Sequence, residues 1–545
     1  MSTKTIITLF ICATTFFVVA QDDITDQIAI SGDREEFFLD AINGEDDNYY
    51  VVATSGSDGT SGTLQVPEHD GNLYIILTKF NDENELVWQK SYYGSGSDYS
   101  KKLVKSDDGL YLLGHSSSPV SGNKTTEKYG LEDWQADYWL LKLDFDGNIM
   151  WDKSYGSDNG DEASDLIILP SGELLIAGVS RGDASGVKSE DAVTESKSDY
   201  WIVKTTAEGD IIWDKTIGSP DFDSNPSLTQ LDNGKIIIAG MSRGDKGGSK
   251  TDDNFGNNNA WIIAIKEDGD ILWDKTFGGT DGAFGGVAYT KNNLIYLIIN
   301  SLSGMSGNRS VSLKGEQDIW FLKLDDEGEV LSELNFGGDG QESANQVIFQ
   351  ENDRILLAAS SDSDNSIDKE DSNRGFSDYW PILINNEGEI LWQKTIGGIH
   401  GDILKKVLVR PNNKLLLIGQ SDSGISADRT VENHSEQPNA NNENDVWIVE
   451  IDASILNTEN EEINLNNVSV YPNPFASDLT IEVDNLEVLN EVIITDVNGK
   501  VYWSKEKKDI EGSEFTIPLD NLSKGVYLVN IKSKNSSVIK RVVKN

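Results

Sequence analysis

An all-β fold built from a repeat is predicted by three observations. A motif of the form DYW…DG…WDK…G recurs about every sixty residues, a period typical of solenoids, propellers and arrays. Each unit holds four apolar runs separated by turn residues, with nothing helical between them, which excludes parallel βαβ folds. The fourth run is missing from the last unit, and a matching run stands alone near the start of the chain. Together these predict a seven-bladed β-propeller closed by an N-terminal strand, followed by a small C-terminal β-sandwich.

The motif reads DYWLLKLDFDGNIMWDKSYG at 137–156, DYWIVKTTAEGDIIWDKTIG at 199–218, NAWIIAIKEDGDILWDKTFG at 259–278 and DYWPILINNEGEILWQKTIG at 378–397. A weaker copy, DIWFLKLDDEGEVLSELNFG at 318–337, has Ser332 in place of the second Trp. In one unit the runs are 163–169, 173–180, 199–205 and 210–217, here named a, b, c and d. Pro170-Ser171-Gly172 and Glu208-Gly209 suit tight hairpin turns. Strand c is marked by Tyr74, Trp139, Trp201, Trp261, Trp320, Trp380 and Trp447, giving seven units. Strand d is marked only by Trp88, Trp151, Trp213, Trp273, Ser332 and Trp392. The segment 24–33, ITDQIAISGD, supplies the seventh, with Thr25 in the Trp place. Such a strand would latch the ring and remove a sheet edge. Pro381 lacks an N–H inside a c strand, so a bulge is expected there.

Residues 1–20 carry Lys4, an apolar run and a small residue at Ala20, the pattern of a cleavable secretory signal. The single Cys lies inside that run, so the mature chain has no disulfide. The seven-bladed propeller is assigned to 21–452. Net charge is −47, which favours solubility and opposes nucleic acid and anionic membranes as partners. The polar segment 453–466 reads as a linker. Residues 467–545 alternate apolar and polar positions between Asn-Gly and Lys-Gly turns, as a small sandwich does.

The c–d hairpin with its Asp-Gly and Trp resembles the tryptophan-docking repeats of quinoprotein-type propellers, and the closure resembles that of WD-repeat propellers. The resemblance assigns a blade-docking role to Trp88, Trp151, Trp213, Trp273 and Trp392. No cofactor is expected, because quinoproteins often use a Cys pair that this chain lacks. The tail is similar to the C-terminal sorting domain of type IX secretion cargo in Bacteroidetes. The matching residues are Tyr471, Pro472, Asn473, Pro474 and Phe475, then Gly499, Gly525 and Tyr527, and the basic end Lys540 and Arg541. That resemblance implies an outer-membrane translocon and a surface sortase as partners. It also implies attachment to lipopolysaccharide or release.

For ligand binding, the b–c loops at 115–136, 180–198, 242–258, 301–317, 360–377 and 420–444 are long and rich in Ser, Gly, Asn and Asp. Asp362, Asp364 and Asp368 are the candidate calcium ligands, although the EF-hand Gly and final Glu are absent. GVSRG at 178–182 and GMSRG at 240–244 match a nucleophile-elbow string, but they open loops rather than helices. No catalytic constellation is recognisable. The sequence favours a secreted or cell-surface module binding a glycan, protein or cation, with a polysaccharide hydrolase or lyase as the alternative.

Overall fold

The computed structural model describes residues 24–57, 61–66, 72–411, 414–434, 444–452, 468–483, 489–496, 500–507, 510, 512–533 and 537–545. The expected signal, the linker and Gly499 lie outside the described residues. The chain divides into two compact units, Met1–Ala453 and Ser454–Asn545.

The first unit is a series of antiparallel sheets with strands in the order a, b, c, d. Blade 1 consists of Glu36–Asn43, Tyr49–Ser55, Tyr74–Phe80 and Leu86–Tyr92. Blades 2 to 6 follow at 98–155, 161–217, 223–277, 283–336 and 342–393. The last sheet takes Asp402–Arg410, Lys414–Ser421 and Asp445–Asp452 from the end of the unit and its fourth strand, Ile24–Ile30, from the start. The a strands of successive blades pack against one another, and 402–410 packs back onto 36–43. The sheets therefore form a closed ring with the a strands innermost.

The middle strands explain why the sequence reads as apolar runs and not as alternation. Leu174–Ser180 and Asp199–Thr205 are buried at every position, because neighbouring blades cover both faces of each sheet. The core lies between blades. Leu113, Tyr138 and Leu140 of blade 2 pack with Ile176, Trp201 and Val203 of blade 3. The c-strand Trp residues at 139, 201, 261, 320, 380 and 447 have no exposed surface.

Register corrects three expectations. Ala29 stands opposite Trp447 and Asp26 opposite Glu450, so Asp26 and not Thr25 occupies the Trp place of the closing strand. Thr25 falls in the local register shift between Ile24 and Asp26. In blade 1, Ile76 pairs with Ser91 as Trp139 pairs with Ser154, so Ile76, not Tyr74, is the counterpart of the c-strand Trp. Pro381 interrupts its strand instead of bulging it. The c strand of blade 6 splits into Asp378–Tyr379 and Ile382–Ile384, since a residue without N–H cannot hold the ladder.

The second unit is a sandwich of two sheets. One contains Val468–Tyr471, Asp478–Val483 and Glu514–Pro518; the other contains Leu489–Asp496, Val501–Glu506, Gly525–Ser533 and Ser537–Lys544. Its single apolar core includes Phe475, Leu479, Ile481, Ile494, Val529 and Ile531.

Candidate functional site

The b–c loops are built on a buried polar clamp. Every b strand ends in Ser, at 55, 116, 180, 242, 301, 361 and 421. Eight residues on, blades 2 to 7 place a cation: Lys124, Lys188, Lys250, Arg309, Lys369 and Arg429. All six are buried, although they sit in the most polar segments of the chain. The cation closes a tight turn with the residue three before it, as in Ser185 with Lys188 and Ser426 with Arg429. The next residue donates its backbone N–H to an acceptor on strand d. Thr125 donates to Asp152 at 3.1 Å, Ser189 to Asp214 at 2.9 Å and Thr251 to Asp274 at 3.0 Å. The same acceptor takes the Nε1–H of the c-strand Trp: Trp139 to Asp152 at 3.0 Å and Trp201 to Asp214 at 2.9 Å.

The last blade repeats the clamp with a residue from the other end of the chain. Gln27 Oε1 accepts from Trp447 Nε1 at 3.2 Å and from Thr430 N at 3.0 Å. Its amide nitrogen donates to the Asp428 carbonyl at 2.7 Å. The closing strand therefore restores a side-chain position as well as a ladder.

Buried carboxylates complete each clamp. Asp445 lies 3.2 Å from Arg429, both almost fully buried. Burial lifts Asp445 to about 8, and Glu36, Asp137, Asp223 and Asp378 to about 7. Burial also lowers Lys250 to about 8, against the pull of Asp223 and Asp274. Perturbed carboxylates often mark catalytic sites. Here they recur blade after blade with framework partners: Ser55 and Ser57 hydroxyls hold Glu36 at 2.8 and 2.5 Å, and the Tyr129 and Gly130 N–H groups hold Asp137 at 2.5 and 3.3 Å. That recurrence identifies them as part of the framework.

The residues singled out by sequence are separated by this geometry. Asp362 accepts from the Gln341 amide, Asp364 from Asn373 N at 3.3 Å, and Asp368 from Gly337 N at 3.0 Å while pairing with Lys314. Each thus has its own partner, and no group of three or more metal-ligating side chains converges among the described residues. Ser180 and Ser242, the nucleophile-elbow candidates, are buried strand ends. The d-strand Trp side chains lie against the c–d turn of the next blade. Trp213 and Trp273 donate to the carbonyls of Glu267 and Asp326 at 3.1 Å. A Cβ on Gly328 (φ +78°) would sit 2.9 Å from the Trp273 ring. Where Ser332 replaces the Trp, Leu334 fills the place, and a Cβ on Gly388 would lie 2.5 Å from it. Trp392 has no such turn before it, because the c and d strands of the next blade come from opposite ends of the chain.

The exposed surface of the loops is different in character. Nine of the large exposed apolar side chains lie on the six long b–c loops, among them Trp134 at 72% and Phe376 at 69% exposure. Phe376 stacks on His400, with ring centroids 6.3 Å apart.

A second concave feature is the central channel, a cavity of about 260 Å³ lined from all seven a strands. Each a strand carries a bulge at the same height, which takes residues out of ladder register: Leu39, Lys101, Ser164, Asn225 with Pro226, Gly285 with Gly286, Asn345 and Lys405. Bulges re-aim side chains and free backbone N–H groups. Neighbouring blades satisfy those groups: Asp40 accepts from Leu103 N at 3.2 Å, Asp165 from Leu228 N at 2.8 Å and Gln346 from Val407 N at 2.7 Å. Lys406 pairs with Asp40 at 2.8 Å and Lys102 with Asp165 at 3.0 Å. Burial alone would raise Asp40, but Lys406 and Lys102 hold it below the usual carboxylate value. The loop clamp and the channel bulges were both missed by sequence reasoning. The Ser-to-cation spacing was the signal for the first; the second leaves no local signature.

In the second unit, the scattered tail motifs come together. Phe475 is buried and donates its N–H to the Val543 carbonyl at 2.9 Å, while Asn545 N returns a bond to Phe475 O at 3.0 Å. Asn473 spans to the same strand, donating to Arg541 O at 3.0 Å and accepting from Val543 N at 2.9 Å. Pro472 and Pro474, each preceded by a cis peptide bond, flank Asn473. Tyr471 Oη donates to Glu514 at 2.8 Å, and Tyr527 Oη to Ser523 O at 2.9 Å within the strand that begins at Gly525. Arg541 is exposed and Lys540 half-buried on the terminal strand.

Comparison with known proteins agrees with this division. The secretion system C-terminal sorting domain matches residues 469–545. The regulatory protein FlaEY of Caulobacter vibrioides is 25% identical over 199 residues, 35% of this chain and 21% of that protein. The chain thus spans about a fifth of that relative's length. Among solved structures, the Pan2 WD40 domain of Neurospora crassa is similar with a TM-score of 0.39 and 9% identity, over 76% of this chain and 96% of that one. The phage phi92 endosialidase has a TM-score of 0.39 and 10% identity, over 95% and 87% of the two chains. These scores are too low to add to the propeller architecture, which the sheets themselves establish. The propeller is followed in sequence by a type IX secretion sorting domain, which marks the protein as cargo exported by that system to the cell surface or the surrounding medium.

Proposed function

We propose that the propeller is an exported binding module that holds a glycan on its b–c loop face. The observation that carries this reading is the pairing of a fixed loop base with apolar tips. Each of the six loops is clamped at its base by a buried cation, which limits the freedom of the described loop residues before a ligand arrives, and preorganisation favours affinity. The exposed rings of Trp134 and Phe376 can stack on sugar faces, and the surrounding Asp, Asn and Ser side chains offer hydrogen bonds. Hydrolysis is less well supported, because the carboxylates with raised pKa are enclosed in the clamps. The expected partners during export are the translocon and sortase, and the tail lies at the end of a separate unit. A glycan array probed with the full chain should give a defined set of ligands. W134A and F376A should each weaken binding at least tenfold. Absence of any retained glycan, or release of shortened sugars, would refute this reading.

A further inference from the structure

The central channel carries a charge opposite to that of the protein. Its lining includes four lysines, Lys101, Lys102, Lys405 and Lys406, and two aspartates, Asp40 and Asp165, in a chain of net charge −47. Two of the lysines are accounted for by the ion pairs Lys406–Asp40 and Lys102–Asp165. The other two are the bulge residues of the second and last blades, one on each side of Leu39 of blade 1. Among the described residues, neither Lys101 nor Lys405 has an ion pair or a hydrogen bond. Glu162 acts on Lys101 only at longer range and is itself paired with Arg181 at 2.8 Å. Burial lowers both lysines, and no neighbouring charge offsets it at Lys405.

A half-buried ammonium without a counter-charge is unfavourable unless something else supplies the charge. Three other bulge residues with neutral polar side chains, Ser164, Asn225 and Asn345, line the same cavity, and Asn345 also donates to the Leu404 carbonyl at 2.8 Å. Two cations with hydroxyl and amide groups around one open cavity make a set of donors for an oxyanion. We propose that the channel binds a small solute through a carboxylate or phosphate group held between Lys101 and Lys405. The cavity volume of about 260 Å³ limits the occupant to roughly the size of an acidic monosaccharide or an inorganic anion. This site is independent of the glycan reading of the loop face, which uses neither lysine.

The test is calorimetric titration of the full chain with glucuronate, inorganic phosphate and, as a neutral control, glucose. Glucuronate or phosphate should bind at low salt and more weakly as salt rises, while glucose should not. Tighter binding of glucuronate would identify an acid sugar as the occupant, and tighter binding of phosphate an inorganic anion. K101Q and K405Q should each weaken binding at least tenfold, and the double variant should abolish it. K405R, which keeps the charge, should retain binding even if K405Q folds poorly, and K266Q on an exposed c–d turn should leave it unchanged. Failure of both anions to bind, or equal binding by the double variant, would overturn the proposal.

Discussion

The propeller and the tail solve the same problem, covering an antiparallel sheet, by different means. The tail is a dry sandwich with one apolar core and near-balanced charge: from Asn466 it has 10 basic and 11 acidic residues, a net of −1. The propeller buries a cation, carboxylates and hydroxyls in one blade after another and carries nearly all of the negative charge. Ion pairs taken out of water are weak sources of stability unless fully hydrogen-bonded. The clamps meet that condition in part: a loop, a c-strand Trp and strand d share acceptors, while one oxygen each of Asp161, Asp199, Asp378, Asp402 and Asp445 is buried without a hydrogen-bond partner among the described residues. The difference teaches that a repeat protein can use a recurring set of buried polar groups to fix its loops, whereas the small domain packs one apolar core and buries Lys544 against the Ala476 and Leu519 carbonyls.

The comparison is broken most severely by removing residues 24–30. Without that strand the last blade loses its ladder to 445–452 and its Gln27 acceptor. The propeller transition in scanning calorimetry should drop by more than about 10 °C or disappear, which corresponds to a loss of several kcal/mol, while that of the tail stays in place. Next in size is R429M, which leaves Asp445 buried without its counter-charge. The expected cost is about 3–5 kcal/mol by urea unfolding, with partial recovery in R429M/D445N. F475A should cost the tail about 3–5 kcal/mol through the cavity it leaves, read as a lower tail transition with an unchanged propeller. W213A should cost about 1–2 kcal/mol, since its ring is half-buried and its hydrogen bond to Glu267 O is lost.

The smallest expected effect is that of pH. Glu36, Asp137, Asp223 and Asp378 are raised to about 7 and Asp445 to about 8, all through burial. Such acids bind protons more readily in the folded state than in the unfolded one. Their support is complete below the unfolded carboxylate range of about pH 4 and is lost as pH rises from there through about 7 to 8. The propeller should therefore melt higher at about pH 5 than at about pH 8. Lys250, lowered to about 8, acts in the opposite sense only above that pH.

The ring was legible because its evidence is distributed: a repeated Trp, a repeated turn and a spare strand all point to one arrangement. Position within a strand was less legible. Thr25 was one residue off Asp26, and Tyr74 two off Ile76, because blade 1 and the closing strand lack the Trp that anchors the alignment elsewhere. The candidate site was hidden by a default. Lys and Arg in polar loops read as solvated, yet the chain buries six of them. Comparing loops with one another, instead of reading each alone, would have shown the constant spacing from the strand-end Ser. The channel lysines had no such signal, because ladder pairing alone determines which residue a bulge displaces.

Thr25 bonds to Glu450 across 425 positions of chain, and that span sets an order of events. Contacts so remote are slow to form and come after local ones. An emerging chain can therefore build its early sheets one by one but cannot lock them until the segment ending at Asp452 has arrived. Until then the row of wedges is an open spiral, easier to extend or unravel than the finished disc. An exported protein is well served by a latch whose halves meet last.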